Sequence, residues 1–99
     1  MTRRPVIISA EVSYAVARQI RDRIEADAEA AGARLRAIPG VGSGQLGLTP
    51  DAVKASAEYR AARADWDRAF AALRAFNSEY YRRFRREIKA ERQARSEAK

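Results

Sequence analysis

The stretch that decides the fold runs from residue 59 to residue 80 and reads YRAARADWDRAFAALRAFNSEY. Its large apolar residues and alanines recur in steps of three and four, which is the spacing of one face of an α-helix. The positions on this face are Tyr59, Ala62, Trp66, Ala69, Leu73, Phe76 and Tyr80. About three repeats of this kind are typical of helices that pack along their length, as in a coiled coil. We therefore expect Trp66, Phe70, Leu73 and Phe76 to form the core.

The residues that precede this stretch predict a second amphipathic helix. Its apolar face again follows steps of three and four and consists of Val12, Val16, Ile20, Ile24, Ala28, Ala31, Leu35 and Ile38. Ser9 is a candidate N-cap, and Glu11 places a negative charge where the helix dipole favours one. The pattern predicts helix 1 over residues 10–38, preceded by a short arm of residues 1–9.

Residues 39–49 contain four of the five glycines, which predicts a loop. We expect Leu46 and Leu48 to hold this loop against the body of the protein. The sequence Thr49-Pro50-Asp51 then combines an N-cap residue, a proline at the first helical position and an acid in the first turn. This start predicts helix 2 over residues 50–95, with Ser56 as a second candidate cap at which the helix would break. Residues 96–99 are expected to fray.

These elements predict a single all-α domain of residues 1–99. Two long amphipathic helices joined by a short connection form an antiparallel hairpin. The expected architecture is therefore a coiled-coil-like hairpin with a Gly-rich interhelical loop, a short N-terminal arm and a basic C-terminal helical extension.

The positive charge is concentrated at the C-terminal end. The formal net charge is +7, and residues 80–99 carry eight bases against three acids. Arg82 and Arg86, and likewise Arg85 and Lys89, are like-charge pairs at i and i+4, which destabilise an isolated helix. This excess indicates a helix arranged for an external anion. The predicted partner-binding residues are Arg82, Arg83, Arg85, Arg86, Lys89 and Arg92.

Three aromatic residues, Tyr80, Tyr81 and Phe84, are interleaved with these arginines. They could stack on unpaired nucleic-acid bases, as aromatic side chains among cations do in single-strand-binding proteins. They could equally form a dimer interface, or pack beneath residues 6–8 of the N-terminal arm. The sequence leaves these three roles open.

The residues that most chemistry requires are missing. The chain contains no cysteine and no histidine, which excludes a disulfide, a thiol nucleophile, an imidazole base and a zinc site of the ordinary type. No carboxylates converge as a catalytic pair would. We expect no enzymatic activity and no catalytic, metal-binding or cofactor-binding residues.

The apolar runs are far too short to span a membrane, so we expect a soluble, cytoplasmic protein without a membrane partner.

The sequence therefore predicts a non-enzymatic helical interaction protein that docks its basic C-terminal helix on an acidic partner surface. The alternative is a nucleic-acid-binding protein that uses the same arginines on phosphates. The basic helical end is similar in pattern to the coat-binding end of some phage scaffolding proteins. A phage or mobile-element assembly factor, or an inhibitor of a host complex, is the expected setting.

We also expect a homodimer. Two packed helices seldom cover all of their own apolar surface, and the apolar stripe beyond Phe76 has little cover from the predicted helix 1.

Overall fold

The first helix begins at a serine hydroxyl. The computed structural model describes Ile8 and residues 11–98, and α1 spans Tyr14–Arg36 within them. The backbone amide of Val16 donates to the Ser13 hydroxyl at 3.3 Å, so Ser13 is the N-cap. The helix is shorter at both ends than the predicted 10–38. Ser9, the expected cap, lies outside the described residues, as does the rest of the predicted arm except Ile8.

The second half of the chain contains three helices in place of one. After a short turn of 3₁₀-helix at Gln45–Gly47, α2 covers Asp51–Lys54, α3 covers Ala57–Arg83 and α4 covers Arg85–Glu97. The break before α3 falls at Ser56, whose hydroxyl accepts the Tyr59 amide at 3.2 Å. About 79% of the described residues are helical, and none of them lies in a strand.

A second break occurs at Phe84, between α3 and α4. Phe84 has φ −108° and ψ 29°, outside the helical region. The Phe84 amide still donates to the Tyr80 carbonyl at 3.0 Å, and the Ile88 amide donates to the Phe84 carbonyl at 2.9 Å. The chain therefore bends here and keeps its backbone hydrogen bonds on both sides of the bend. The predicted helix 2 over residues 50–95 allowed a break at Ser56 but none at Phe84.

α1 packs on α3 through its smallest residues. The buried residues of α1 are Ala17, Ala28, Ala31 and Gly32. Gly32 lies against the Trp66 ring, and the Arg21 guanidinium donates to the Asn77 side chain at 3.0 Å. Residues with increasing numbers along α1 therefore contact residues with decreasing numbers along α3. Because the small side chains occupy little space, the two helix backbones can approach closely.

The core is concentrated where the start of α1 meets the end of α3. The buried cluster consists of Ile8, Ala17, Phe76, Tyr80 and Phe84. Phe76 is 1% exposed, and the Tyr80 ring lies between the rings of Phe76 and Phe84, with centroid distances of 6.0 Å and 5.7 Å. The Tyr14 ring completes the group, with its centroid 5.5 Å from that of Phe84. We call Tyr14, Phe76, Tyr80 and Phe84 the aromatic cluster.

Three of the four expected core residues lie outside this cluster, so that prediction was wrong for them. Trp66 and Leu73 are partly exposed, and Phe70 is 36% exposed. The reason is the close helix approach, since a Cβ atom added at Gly32 would come within 3.2 Å of the Trp66 indole nitrogen. The ring cannot fit between the helices, so it lies beside their contact.

The segment between α1 and α2 is held by its backbone. Leu46 is 98% exposed and Leu48 is 64% exposed, so the prediction that they anchor the segment was wrong. Instead, the Gly44 amide donates to the Leu48 carbonyl at 2.7 Å. The Thr49 hydroxyl accepts the Gly42 amide at 3.1 Å and does not cap α2. Gly42 has φ +74°, a conformation that favours glycine.

The location of the core gives a stability prediction. Phe76→Ala should lower the free energy of unfolding by about 3–5 kcal/mol, because it leaves a cavity among buried rings. Leu46→Ala removes a side chain of similar apolar character that is almost fully exposed, and should change stability by less than about 0.5 kcal/mol. Urea denaturation measures both values. Equal effects of the two substitutions would show that the core lies elsewhere.

Candidate partner-binding surface

Four cations surround a shallow cleft at the junction of α3 and α4. Arg85, Lys89 and Arg92 follow one another at steps of four and three, so they share one face of α4. Arg82 contributes from the last turn of α3, and the side chains of Tyr81 and Ile88 complete the lining. The cleft has a volume of about 450 Å³. We call these six residues the basic cleft.

Three of these cations have no partner within the described part of the chain. Arg85, Lys89 and Arg92 form no hydrogen bond and no ion pair with another described residue. Arg82 donates to Glu79 one turn earlier at 2.6 Å. The cleft therefore carries positive charge that the described residues leave largely uncompensated, which favours an anionic ligand.

Arg83 and Arg86, the two other predicted cations, lie outside the cleft. The Arg83 guanidinium donates to the backbone carbonyls of Ile8 at 2.9 Å and Val12 at 3.3 Å. It thereby holds the segment before α1 against the aromatic cluster and does not line the cleft. Arg86 is exposed on α4 without a partner among the described residues, but it does not line the cleft.

The structure separates the three aromatic residues whose roles the sequence left open. Tyr80 is 4% exposed and Phe84 is 6% exposed, so neither offers a ring face to a nucleic-acid base. They pack with Ile8, whereas residues 6 and 7 lie outside the described residues. Tyr81 is 42% exposed and borders the cleft. Its hydroxyl accepts from Arg21 of α1 at 3.2 Å, which fixes the ring beside the cleft.

Sequence reasoning missed the residue that positions α4, which is Glu91. Its carboxylate accepts the Tyr14 hydroxyl at 2.6 Å and forms ion pairs with Arg18 at 3.0 Å and Arg95 at 2.8 Å. Tyr14 and Arg18 are one turn apart on α1, so both reach the same group on α4. The one-turn spacing of Tyr14 and Arg18 was the sequence signal that could have indicated this contact. These contacts join α4 to the start of α1 and thereby orient the basic cleft.

The same contacts shift two pKa values. The Tyr14 hydrogen bond, with Arg95 and Arg18 nearby, lowers the pKa of Glu91 below its ordinary value, although partial burial opposes the change. Burial raises the pKa of Tyr14 well above its ordinary value, and the hydrogen bonds to Glu91 and Tyr80 add to that rise. At neutral pH Tyr14 is therefore a donor and Glu91 an ionised acceptor.

These shifts predict that α4 loosens in acid. Because the folded-state pKa of Glu91 is lowered, its contribution is complete at neutral pH and is lost as the pH falls through that folded value. We expect ¹⁵N relaxation to show increased motion of residues 85–97 once the pH falls below the ordinary pKa of a glutamate, with residues 57–83 unchanged. Glu91→Gln should show this motion at pH 7 already, because it lacks the ionised acceptor.

Glu87→Gln is the control, since Glu87 is an exposed acid on the same helix without a described partner. Rigid α4 amides in Glu91→Gln at pH 7 would contradict the assignment.

Comparison with known proteins gives no assignment for this arrangement. No protein-family model, curated protein or solved structure matches the chain. Among the helices in the described ranges, none is long and apolar enough to cross a lipid bilayer.

Proposed function

We propose that this chain is a non-enzymatic interaction protein that docks its basic cleft on an acidic protein surface. The observation that carries the proposal is the group of unpaired cations, Arg85, Lys89 and Arg92, around an apolar lining of Tyr81 and Ile88. In this proposal α1 and α3 form an antiparallel hairpin, connected by residues 37–56, and the hairpin carries α4 at one end. A phage or mobile-element assembly factor, or an inhibitor of a host complex, fits this role.

The energetics of α4 support an anionic partner. Arg85 and Lys89 are one turn apart on the same helix face, so their charges repel. Several other charged groups of the described residues are compensated internally, as in the pairs of Arg21 with Glu25 and Arg63 with Asp67. A carboxylate placed between Arg85 and Lys89 would remove their repulsion and add charge-assisted hydrogen bonds.

The lining of the cleft favours protein over nucleic acid. A phosphate backbone offers little apolar surface to cover Ile88, whereas an acidic amphipathic helix supplies both carboxylates and apolar side chains. Two of the three aromatic residues that could have stacked on bases are buried. The unpaired cations of the cleft extend over two turns of α4, about 10 Å, which is short for a nucleic-acid track.

The proposal predicts the effect of charge reversal. Fluorescence anisotropy with a labelled acidic amphipathic peptide should give micromolar binding at about 150 mM salt. Arg85→Glu with Lys89→Glu should weaken that binding at least about tenfold, because each substitution replaces an attraction by a repulsion. Helicity should be retained, since both side chains are exposed.

The matched control is Arg23→Glu with Arg34→Glu, which makes the same charge change at two exposed arginines of α1. It should bind the peptide as the wild type does. Sub-micromolar, salt-dependent binding of a random-sequence DNA duplex would contradict the protein-docking function. The salt dependence that identifies phosphate contacts is a slope of about −0.9 per contact in a plot of log binding constant against log salt concentration. Equal peptide binding by both double variants would contradict the protein-docking function as well.

A further inference from the structure

A second surface of the molecule lies on the body, away from the basic cleft. On one face of the α1–α3 pair, Trp66, Phe70 and Leu73 of α3 line a groove whose other wall includes Ala28 and Gly32 of α1. The groove has a volume of about 430 Å³. The Trp66 and Phe70 rings stack with their centroids 5.3 Å apart. We call this surface the Trp66 groove.

The chain exposes more surface than a protein of its mass normally does. Its accessible surface is 7902 Å², whereas a compact monomer of 11.1 kDa exposes about 5,700 Å² by the usual scaling. Its smallest dimension is 16 Å, little more than the thickness of one layer of helices. The excess of about 2,200 Å² is larger than the roughly 800 Å² that each partner buries in a standard interface.

Charged side chains border the groove on both sides. Glu25, Glu29 and Arg36 lie on the α1 rim, and Glu25 pairs there with Arg21. On the α3 rim, the Arg63 guanidinium lies 5.1 Å from the Trp66 ring centroid and that of Arg74 lies 4.9 Å from the Phe70 ring centroid. Glu29 and Arg74 form no ion pair with each other or with any other described residue. Each chain therefore presents an unpaired acid, Glu29, on the α1 rim and an unpaired base, Arg74, on the α3 rim, in addition to Arg36 on the α1 rim.

We infer that a second copy of this chain covers the Trp66 groove. In the inferred dimer the two-fold axis runs parallel to the helices, so that α3 of each copy lies over α1 of the other. The bulky residues of α3 then meet the small residues of α1, and Arg74 on the α3 rim of one copy meets Glu29 on the α1 rim of the other. Because the same contact occurs twice, the surface is complementary to itself.

The helix register brings the unpaired charges to the same level. Gly32 lies against Trp66, so Phe70, one turn further along α3, is level with Ala28 and Glu29, one turn back along α1. The Arg74 guanidinium reaches back over Phe70 and shares this level. A rotation about an axis parallel to the helices preserves height along them, which places Arg74 of each copy opposite Glu29 of the other.

The first test is the mass in solution. Sedimentation equilibrium of the full chain at tens of micromolar should give twice 11.1 kDa. Trp66 is the single tryptophan, so its emission should shift to the blue as concentration rises and the groove is covered. A monomer mass at about 100 µM, or an emission maximum independent of concentration across the dissociation range, would overturn the inference.

The second test is a charge exchange between chains. Arg74→Glu and Glu29→Arg should each raise the dimer dissociation constant by about tenfold to a hundredfold, because symmetry repeats each like-charge contact. An equimolar mixture of the two variants should recover dimer formation as a heterodimer, since one Glu29–Arg74 pair and one reversed pair then form. Arg34→Glu is the control on the opposite face and should dimerise like the wild type.

A mixture that stays monomeric would overturn the inferred orientation, because an attraction within one chain cannot be restored by mixing. The basic cleft shares no residue with the Trp66 groove. Failure of the dimer would therefore leave the peptide-binding function intact, and failure of peptide binding would leave the dimer intact.

Discussion

The close approach of α1 and α3 along a line of small residues determines where the large side chains can lie. Between the helices there is room for Ala28, Ala31 and Gly32 but not for an indole ring. The buried rings lie outside this line: Tyr59 is near the start of α3, and the aromatic cluster lies at its end, where Ala17 faces it and Ile8 covers it. The remaining rings, Trp66 and Phe70, stay beside the helix contact. One packing constraint thus produces both the core and the exposed groove.

The aromatic cluster in turn positions the charged end of the molecule. Phe84 is part of the cluster and also the residue at which α3 bends into α4. Arg83 on one side of the bend bonds the backbone before α1, and Glu91 on the other side bonds Tyr14. These contacts use one cation and one acid of the C-terminal region internally. Arg85, Lys89 and Arg92 form no such contact with a described residue, which is why the cleft carries unpaired charge.

The helical class could be predicted from the sequence because the three-and-four spacing of apolar residues is local information. Ser56 was likewise recognisable as a cap from its position before a helical pattern. The apolar spacing does not show how deeply each of these side chains is buried. Trp66 and Phe76 occupy equivalent positions in the apolar pattern, and they differ because of what α1 places opposite them. The bend at Phe84 was missed for the same reason, since it depends on contacts with the start of α1.

The binding surface was predictable in part. The excess of arginine in residues 80–99 located it, but the sequence could not separate Arg83, which bonds backbone carbonyls, from Arg85, which has no described partner. The contact of Glu91 with α1 was overlooked because its partner Tyr14 is 77 positions away in the chain. Long-range pairs of this kind have no periodic signature. The dimer expected beyond Phe76 is proposed here for a different surface, because that part of α3 is covered within one chain.

Amide hydrogen exchange tests the central claim, that the core lies at the aromatic cluster, most directly. It should be measured residue by residue on the monomer, at dilutions below the dimer dissociation range. We expect the slowest amides to lie on α1 near Ala17 and on α3 between Phe76 and Tyr80, with faster exchange around Trp66. Slowest exchange around Trp66, with early opening at Phe76 and Tyr80, would contradict it.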